Sequence, residues 1–220
     1  MKLSSTIYIG VAADVLPLLV GLACLRYLDK PLRLLVLFYV FILGVNATNI
    51  YSIQNKVSNL WALNIFLLAE YAFLAYIFSL WLDGGKVKKL LHISIPLMIT
   101  AWIAAKLAGV SLFGTLHQFK VAESILLILL STYTLHRITS QSETPNYRLP
   151  EFWISVGVLL YFSGNILLFI AMKLFLDMKI FAKAWLIHLG LNIIANIFYS
   201  GGFVSQRRLK SCGSLSSEPQ

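Results

Sequence analysis

The chain has 220 residues, of which 59% are hydrophobic and 12% are charged, and its formal net charge is +9. A typical soluble domain carries about 25% charged residues, so this composition excludes an ordinary soluble protein. No polar stretch is long enough to form a separate kinase, nuclease or nucleotide-binding domain.

Apolar segments of membrane-spanning length occupy nearly the whole chain. About 20 apolar residues cross a hydrocarbon core of roughly 30 Å. The segments of this length are 7–25, 32–53, 60–82, 90–108, 119–137, 152–172 and 181–204. The sequence therefore predicts an all-α, polytopic membrane protein with seven transmembrane helices. Its seven-helix domain covers 1–206, and a short tail, first basic and then polar, covers 207–220.

The connections between these segments carry turn-forming and basic residues. Gly201 and Gly202 are taken as a turn signal at a membrane boundary. With the N-terminus outside, the basic clusters 86–89 and 207–210 lie on the inner side, as the positive-inside rule requires, whereas Lys120 belongs to the outer side. We therefore expect an N-out, C-in protein whose basic charge meets anionic lipid head groups rather than nucleic acid.

Helices 1–3 and 5–7 share an order of residue types. In each triplet an acidic residue, a Pro, an Asn fifteen positions after that Pro, and a Trp follow one another: Asp14, Pro31, Asn46 and Trp61 in the first, and Glu123, Pro150, Asn165 and Trp185 in the second. Because helix 4 restores the chain direction, the pattern predicts two parallel repeats in a 3+1+3 arrangement, with a site between them. Chance is the rival explanation.

The last segment carries a polar stripe within an otherwise apolar helix. Its members are Trp185, His188, Asn192, Asn196 and Tyr199. At 100° per residue they fall within roughly 80° on one flank of a helix. Imidazole and carboxamide groups in hydrocarbon need partners, water or a ligand, so the stripe is expected to face the bundle interior.

Other polar groups lie in segments 1, 2, 3, 5 and 6. Glu70 stands near the middle of the third segment without a basic residue nearby on its own helix, so it must find a donor, become neutral or line a wet cavity. Glu123 lies three residues after Lys120 and can pair with it on one helix face. For Asp14, which stands close to Pro17, a structural and a functional role are equally open.

These groups give a candidate ligand-binding or proton-linked site, composed of Glu70, His188, Asn192, Asn196, Asn46, Asn165 and Glu123. The alternative is a structural network, in which Asn46 and Asn165 supply interhelical hydrogen bonds worth roughly 0.6 to 2 kcal/mol each. We predict no catalytic residue and no cofactor. We also predict no metal site, because the four histidines are distributed over different membrane levels and cannot converge on one ion.

Several strings in helices 3, 5, 6 and 7 have a familiar form. They are 64–71, 122–124, 150–165, and the spacing of Trp185, His188, Asn192 and Asn196. Over nearly its whole length the chain resembles a family of small seven-helix membrane proteins that is abundant in Bacteroidetes and has no established activity. The resemblance implies a bacterial inner-membrane protein and supplies no substrate.

Three functions are consistent with the sequence. The first is a membrane sensor or signal-input module that binds a small polar ligand in a Glu–His–Asn site and acts through a cytoplasmic or membrane partner. The second is a small transporter in which Glu70 and His188 couple proton movement to a solute. The third, a lipid-modifying enzyme that uses the same groups as acid and base, is less favoured than the other two and stays open.

Overall fold

The computed structural model describes residues 5–82, 84–141, 145–174 and 178–215, apart from the side chains of 5, 114, 115, 169–174, 178–185 and 212–215. The regular secondary structure of the described residues is helical throughout, which confirms the all-α class. The α-helices are α1 (Ser5–Cys24), α2 (Lys30–Asn55), α3 (Leu60–Trp81), α4 (Gly85–Leu107), α5 (Leu112–Gln141), α6 (Pro150–Leu174) and α7 (Met178–Leu215).

All seven α-helices are long and apolar enough to cross a membrane. A helix satisfies its backbone hydrogen bonds internally, which hydrocarbon requires. The chain is therefore a multi-pass membrane protein in contact with lipid. We call the side on which α1, α3, α5 and α7 begin the N-terminal face, and the side on which they end the C-terminal face.

Six of the helices follow one another around a ring. Contacts join α1 to α2, α2 to α3, α3 to α5, α5 to α6, α6 to α7, and α7 back to α1. Helix α4 packs outside this ring, against α3 and α5, and exposes Leu90, Leu97 and Leu107. Two parallel triplets would give this order of contacts, although the 3+1+3 repeat itself stays a prediction.

The half of the ring near the C-terminal face has an apolar core. Leu35 of α2, Phe78 of α3, Leu127 of α5, Ile154 of α6 and Phe203 of α7 are fully buried there. Side chains of this size contribute roughly 1.5–3 kcal/mol each when they leave water, and in lipid they contribute through dense packing instead. This core closes the bundle on that side.

Two helix bounds differ from those expected by seven residues or more. Helix α5 begins at Leu112 rather than at 119, so Lys120 and Glu123 lie two turns or more inside the helix instead of at its end. Helix α7 continues to Leu215, so part of the predicted tail extends the last helix, and 216–220 lie outside the described residues.

Glycines bring α6 and α7 close together. A Cβ atom added to Gly157 would lie 2.8 Å from Cε1 of Tyr199, and one added to Gly164 would overlap Leu191. Gly201 and Gly202, which we predicted to form a turn, are instead inside α7 and pack against α6. The turn prediction was wrong because glycine serves close helix contact as well as chain reversal.

Candidate functional site

The polar stripe of α7 faces a cavity inside the ring. His188, Asn192, Asn196 and Tyr199 all line this cavity, in agreement with their helical spacing. The side chain of Trp185, the first member of the predicted stripe, lies outside the described residues. The described part of the stripe therefore faces inward rather than towards lipid.

The cavity has a volume of about 470 Å³, within the range of roughly 300–1,000 Å³ that is usual for small-molecule sites. Its lining extends from Thr6, Ile53 and Asn59, near the N-terminal face, to Leu74 and Tyr199 deeper in the bundle. Beyond that depth the apolar core fills the ring. The cavity thus lies in the half of the bundle near the N-terminal face.

Asp14 of α1 is the centre of a hydrogen-bond network at this cavity. Asn46 Nδ2 of α2 donates to its Oδ2 at 2.8 Å. Asn192 Nδ2 and Asn196 Nδ2 of α7 donate to its Oδ1 at 2.9 and 3.0 Å. The side chain is buried, and three neutral carboxamides from two other helices satisfy its oxygens.

Tyr39 of α2 extends this network. Its hydroxyl donates to Oδ1 of Asn196 at 2.6 Å, and both residues are buried. Asn196 therefore accepts from α2 through its oxygen and donates to α1 through its nitrogen. A buried carboxamide used at both ends has its orientation fixed.

A second charged cluster connects α3 and α5. Lys120 Nζ lies 2.5 Å from Glu70 Oε2 and 2.9 Å from Glu123 Oε2. The predicted Lys120–Glu123 pair is therefore present. Neither Glu123 oxygen meets hydrogen-bond geometry with a described residue, so its contact with Lys120 is an ion pair of imperfect direction. Glu70 finds its donor on another helix.

His188 is held from α6. Its Nδ1 donates to Oδ1 of Asn165 at 2.6 Å, and its ring lies 5.8 Å from that of Tyr161. Asn165 is buried, and its Nδ2 has no hydrogen-bond partner among the described residues. Asn165 thus orients the imidazole at the cavity wall.

Five of the seven predicted site residues line the one cavity, namely Asn46, Glu70, His188, Asn192 and Asn196. The other two, Glu123 and Asn165, contact the lining residues Lys120 and His188. The structure therefore brings the predicted set together around one cavity. Whether the set binds a ligand or moves a proton stays a prediction.

Sequence reasoning left Asp14 and Lys120 out of this set. Asp14 was recognised as an acidic residue within an apolar helix, but nothing in its own helix indicates its three carboxamide partners. Lys120 was assigned to the outer side because α5 was expected to begin at 119. The signal that could have found Lys120 was Glu70, a carboxylate in need of a donor.

Among the described residues, no group of three or more His, Cys, Asp and Glu side chains is placed to hold a metal ion. The chain matches no family model, no curated protein and no solved structure. The resemblance to a family of small seven-helix bacterial proteins therefore stays a prediction from the sequence, and the activity has to be argued from the cavity.

Proposed function

We propose that the chain is the ligand-binding, signal-input part of a membrane sensor, located in a bacterial inner membrane with its N-terminus outside. The observation that carries this proposal is the cavity, which collects Asp14, Glu70 and the stripe of α7 from three helices on one side of the bundle. Buried polar groups in a membrane are expensive, and their concentration around an open volume favours a binding site over scattered interhelical hydrogen bonds.

Helix α7 gives such a sensor a route across the membrane. It carries His188 at the cavity and Lys210 near the other face, roughly 33 Å away at 1.5 Å per residue. At that end Gln206 and Lys210 contact Asp29, in the connection between α1 and α2. A ligand that shifts α7 against α1 would alter both ends, and a signalling partner would bind the basic C-terminal face.

A small proton-coupled transporter is the second candidate. The order of helices around the ring favours it, because two parallel triplets around a central site are a common transporter design. In that case Glu70 and His188 would carry the proton, and the apolar core would have to open towards the C-terminal face.

Ligand binding is testable with the purified protein in lipid nanodiscs and a panel of neutral, anionic and cationic metabolites. We expect at least one compound to raise the midpoint of thermal unfolding, because binding stabilises the folded state. His188→Ala should abolish or weaken this shift. Thr48→Val is the control, since the one hydrogen bond described for the Thr48 side chain goes to the backbone carbonyl of Gly44 and Thr48 does not line the cavity.

Two further measurements separate the candidates. A spin label at position 208 should report a ligand-dependent change at the C-terminal face if the protein is a sensor. Uptake of the ligand into proteoliposomes would instead support the transporter. If His188→Ala lowers stability and no compound shifts the native protein, the polar groups are structural and the proposal is wrong.

A further inference from the structure

Asp14 at the cavity has hydrogen-bond donors but no described cation to balance its charge. Among the described residues, the groups that donate hydrogen bonds to its two oxygens are the carboxamides of Asn46, Asn192 and Asn196. In the described part of the chain no basic side chain forms an ion pair with it. Neutral donors satisfy the hydrogen bonds of a carboxylate and leave its negative charge in place.

The neighbouring charged cluster does not compensate this charge. There, one ammonium, that of Lys120, lies between the two carboxylates of Glu70 and Glu123. Taken as ionised groups, the side chains at and beside the cavity hold more carboxylates than cations. Low-dielectric walls focus such an imbalance, so the cavity favours a positively charged occupant.

The rest of the lining indicates what kind of cation would fit. Phe38, Tyr39, Phe66, Tyr161 and Tyr199 present aromatic rings to the cavity. Aromatic faces attract organic cations and also accept an apolar body. A metal ion would need several oxygen ligands, whereas the carboxamides around Asp14 turn their nitrogens to it.

We propose that this cavity binds a small organic cation, a protonated amine on an apolar body. Its ammonium pairs with Asp14, and its body lies among the rings of Tyr39, Tyr161 and Tyr199. The inference rests on the function proposed above, since it names the class of ligand for the same site.

Three probes that share one body test the charge requirement. 2-Phenylethylamine, 2-phenylethanol and 3-phenylpropanoate present a cation, a neutral group and an anion on the same aromatic frame. The protein is held in nanodiscs of phosphatidylcholine, a lipid with no net charge, so that the bilayer surface does not attract amines electrostatically. Equilibrium binding of each probe at pH 7 is measured directly and by competition. We expect the amine to bind at least tenfold more tightly than the alcohol, and the carboxylate to bind most weakly.

A variant pair tests the role of Asp14. Asp14→Asn removes the charge and should reduce the preference for amine over alcohol to less than threefold. Asp29→Asn makes the same chemical change at the C-terminal face and should keep the full preference. The three-probe comparison on the unaltered protein needs no variant, so it tests the preference for a cation even if Asp14→Asn does not fold.

The outcomes separate this inference from the function beneath it. An amine preference that depends on Asp14, with these probes or with amines of the metabolite panel, supports the inference. Equal binding of amine and alcohol, tighter binding of the carboxylate, or panel ligands that are all neutral or anionic overturns the inference and leaves the cavity as a binding site. If neither the probes nor any panel compound binds, the proposed function fails as well.

Discussion

Two regions of the bundle contain buried carboxylates, and these carboxylates have different kinds of partner. One region holds Asp14, where α1 meets α2 and α7. The other holds Glu70 and Glu123, where α3 meets α5. Three neutral carboxamides hold Asp14. A single ammonium, that of Lys120, holds both glutamates. The two regions line or adjoin the same cavity, so in both of them the burial of a carboxylate within a membrane has to be compensated.

The difference teaches what each region contributes. A carboxylate paired with an ammonium is largely compensated, and it becomes a buried unpaired charge when the ammonium is lost. A carboxylate held by amides keeps its charge for an incoming group, and it loses only one hydrogen bond of several when an amide is removed. The lysine region is therefore expected to govern stability, and the amide region to govern recognition.

The largest effect is expected from Lys120→Met. It leaves Glu70 and Glu123 without their cation in a site where Lys120 is only 12% exposed, and breaking a buried pair of this kind costs about 3–5 kcal/mol. Unfolding by denaturant in mild detergent measures the change. Adding Glu70→Gln and Glu123→Gln to this variant should restore much of the loss, and a loss below about 1 kcal/mol for Lys120→Met alone would contradict the assignment.

A smaller effect is expected from Asn196→Ala. It leaves both the Tyr39 hydroxyl and one bond to Asp14 unmet, at a cost of about 1–3 kcal/mol on the free energy of unfolding. Asn192→Ala is the matched comparison, because Asn192 is less buried and its one described hydrogen bond goes to Asp14. If Asn192→Ala costs more than Asn196→Ala, Asn196 is not the link between the helices.

Tyr39→Phe should have a still smaller effect, about 0.5–1.5 kcal/mol, because it removes one neutral hydrogen-bond donor and keeps the ring. A double-mutant cycle with Asn196→Ala checks the contact. The two losses should be less than additive, with a coupling energy of at least about 0.5 kcal/mol. Strict additivity would show that the hydroxyl and the carboxamide act independently.

The smallest effect is expected at the Lys210–Asp29 pair near the C-terminal face. Its N–O distance of 2.5 Å equals that of the Lys120–Glu70 pair, but its side chains are 42% and 54% exposed. Solvent screens such a pair, so Lys210→Ala should cost less than about 1 kcal/mol, and the cost should fall further with added salt. If Lys210→Ala lowered the free energy of unfolding as much as Lys120→Met, burial would not be what makes an ion pair important for stability in this protein.

Apolar length and helical period were enough to predict the seven helices and the inward direction of the α7 stripe. Both properties are local, since each depends on residues a few positions apart. The partners of Asp14 are not local: Asn192 is 178 positions away along the chain. The helical period of the polar residues predicts which of them share one face of a helix. It does not predict how that helix is rotated against its neighbours or how far it is shifted along its axis.

The axial shift explains why Lys120 was misplaced. The seven-residue difference in the start of α5 moved a residue assigned to the outer side into contact with Glu70. The residues at a helix end differ little in hydrophobicity from the connection that follows, so composition locates the end of a helix poorly. The depth of a charged residue in the membrane therefore had to come from packing.

The glycine contacts along α6 and α7 have a mechanical consequence. Gly157 and Gly164 on one helix and Gly201 and Gly202 on the other let the two backbones approach at several levels, with side chains such as Tyr199 and Ile154 filling the space a Cβ would occupy. Sliding or rotating either helix alone would drive these side chains into backbone. We therefore expect α6 and α7 to move together in any switching motion, with the contacts that change lying between α7 and α1 and between α6 and α5.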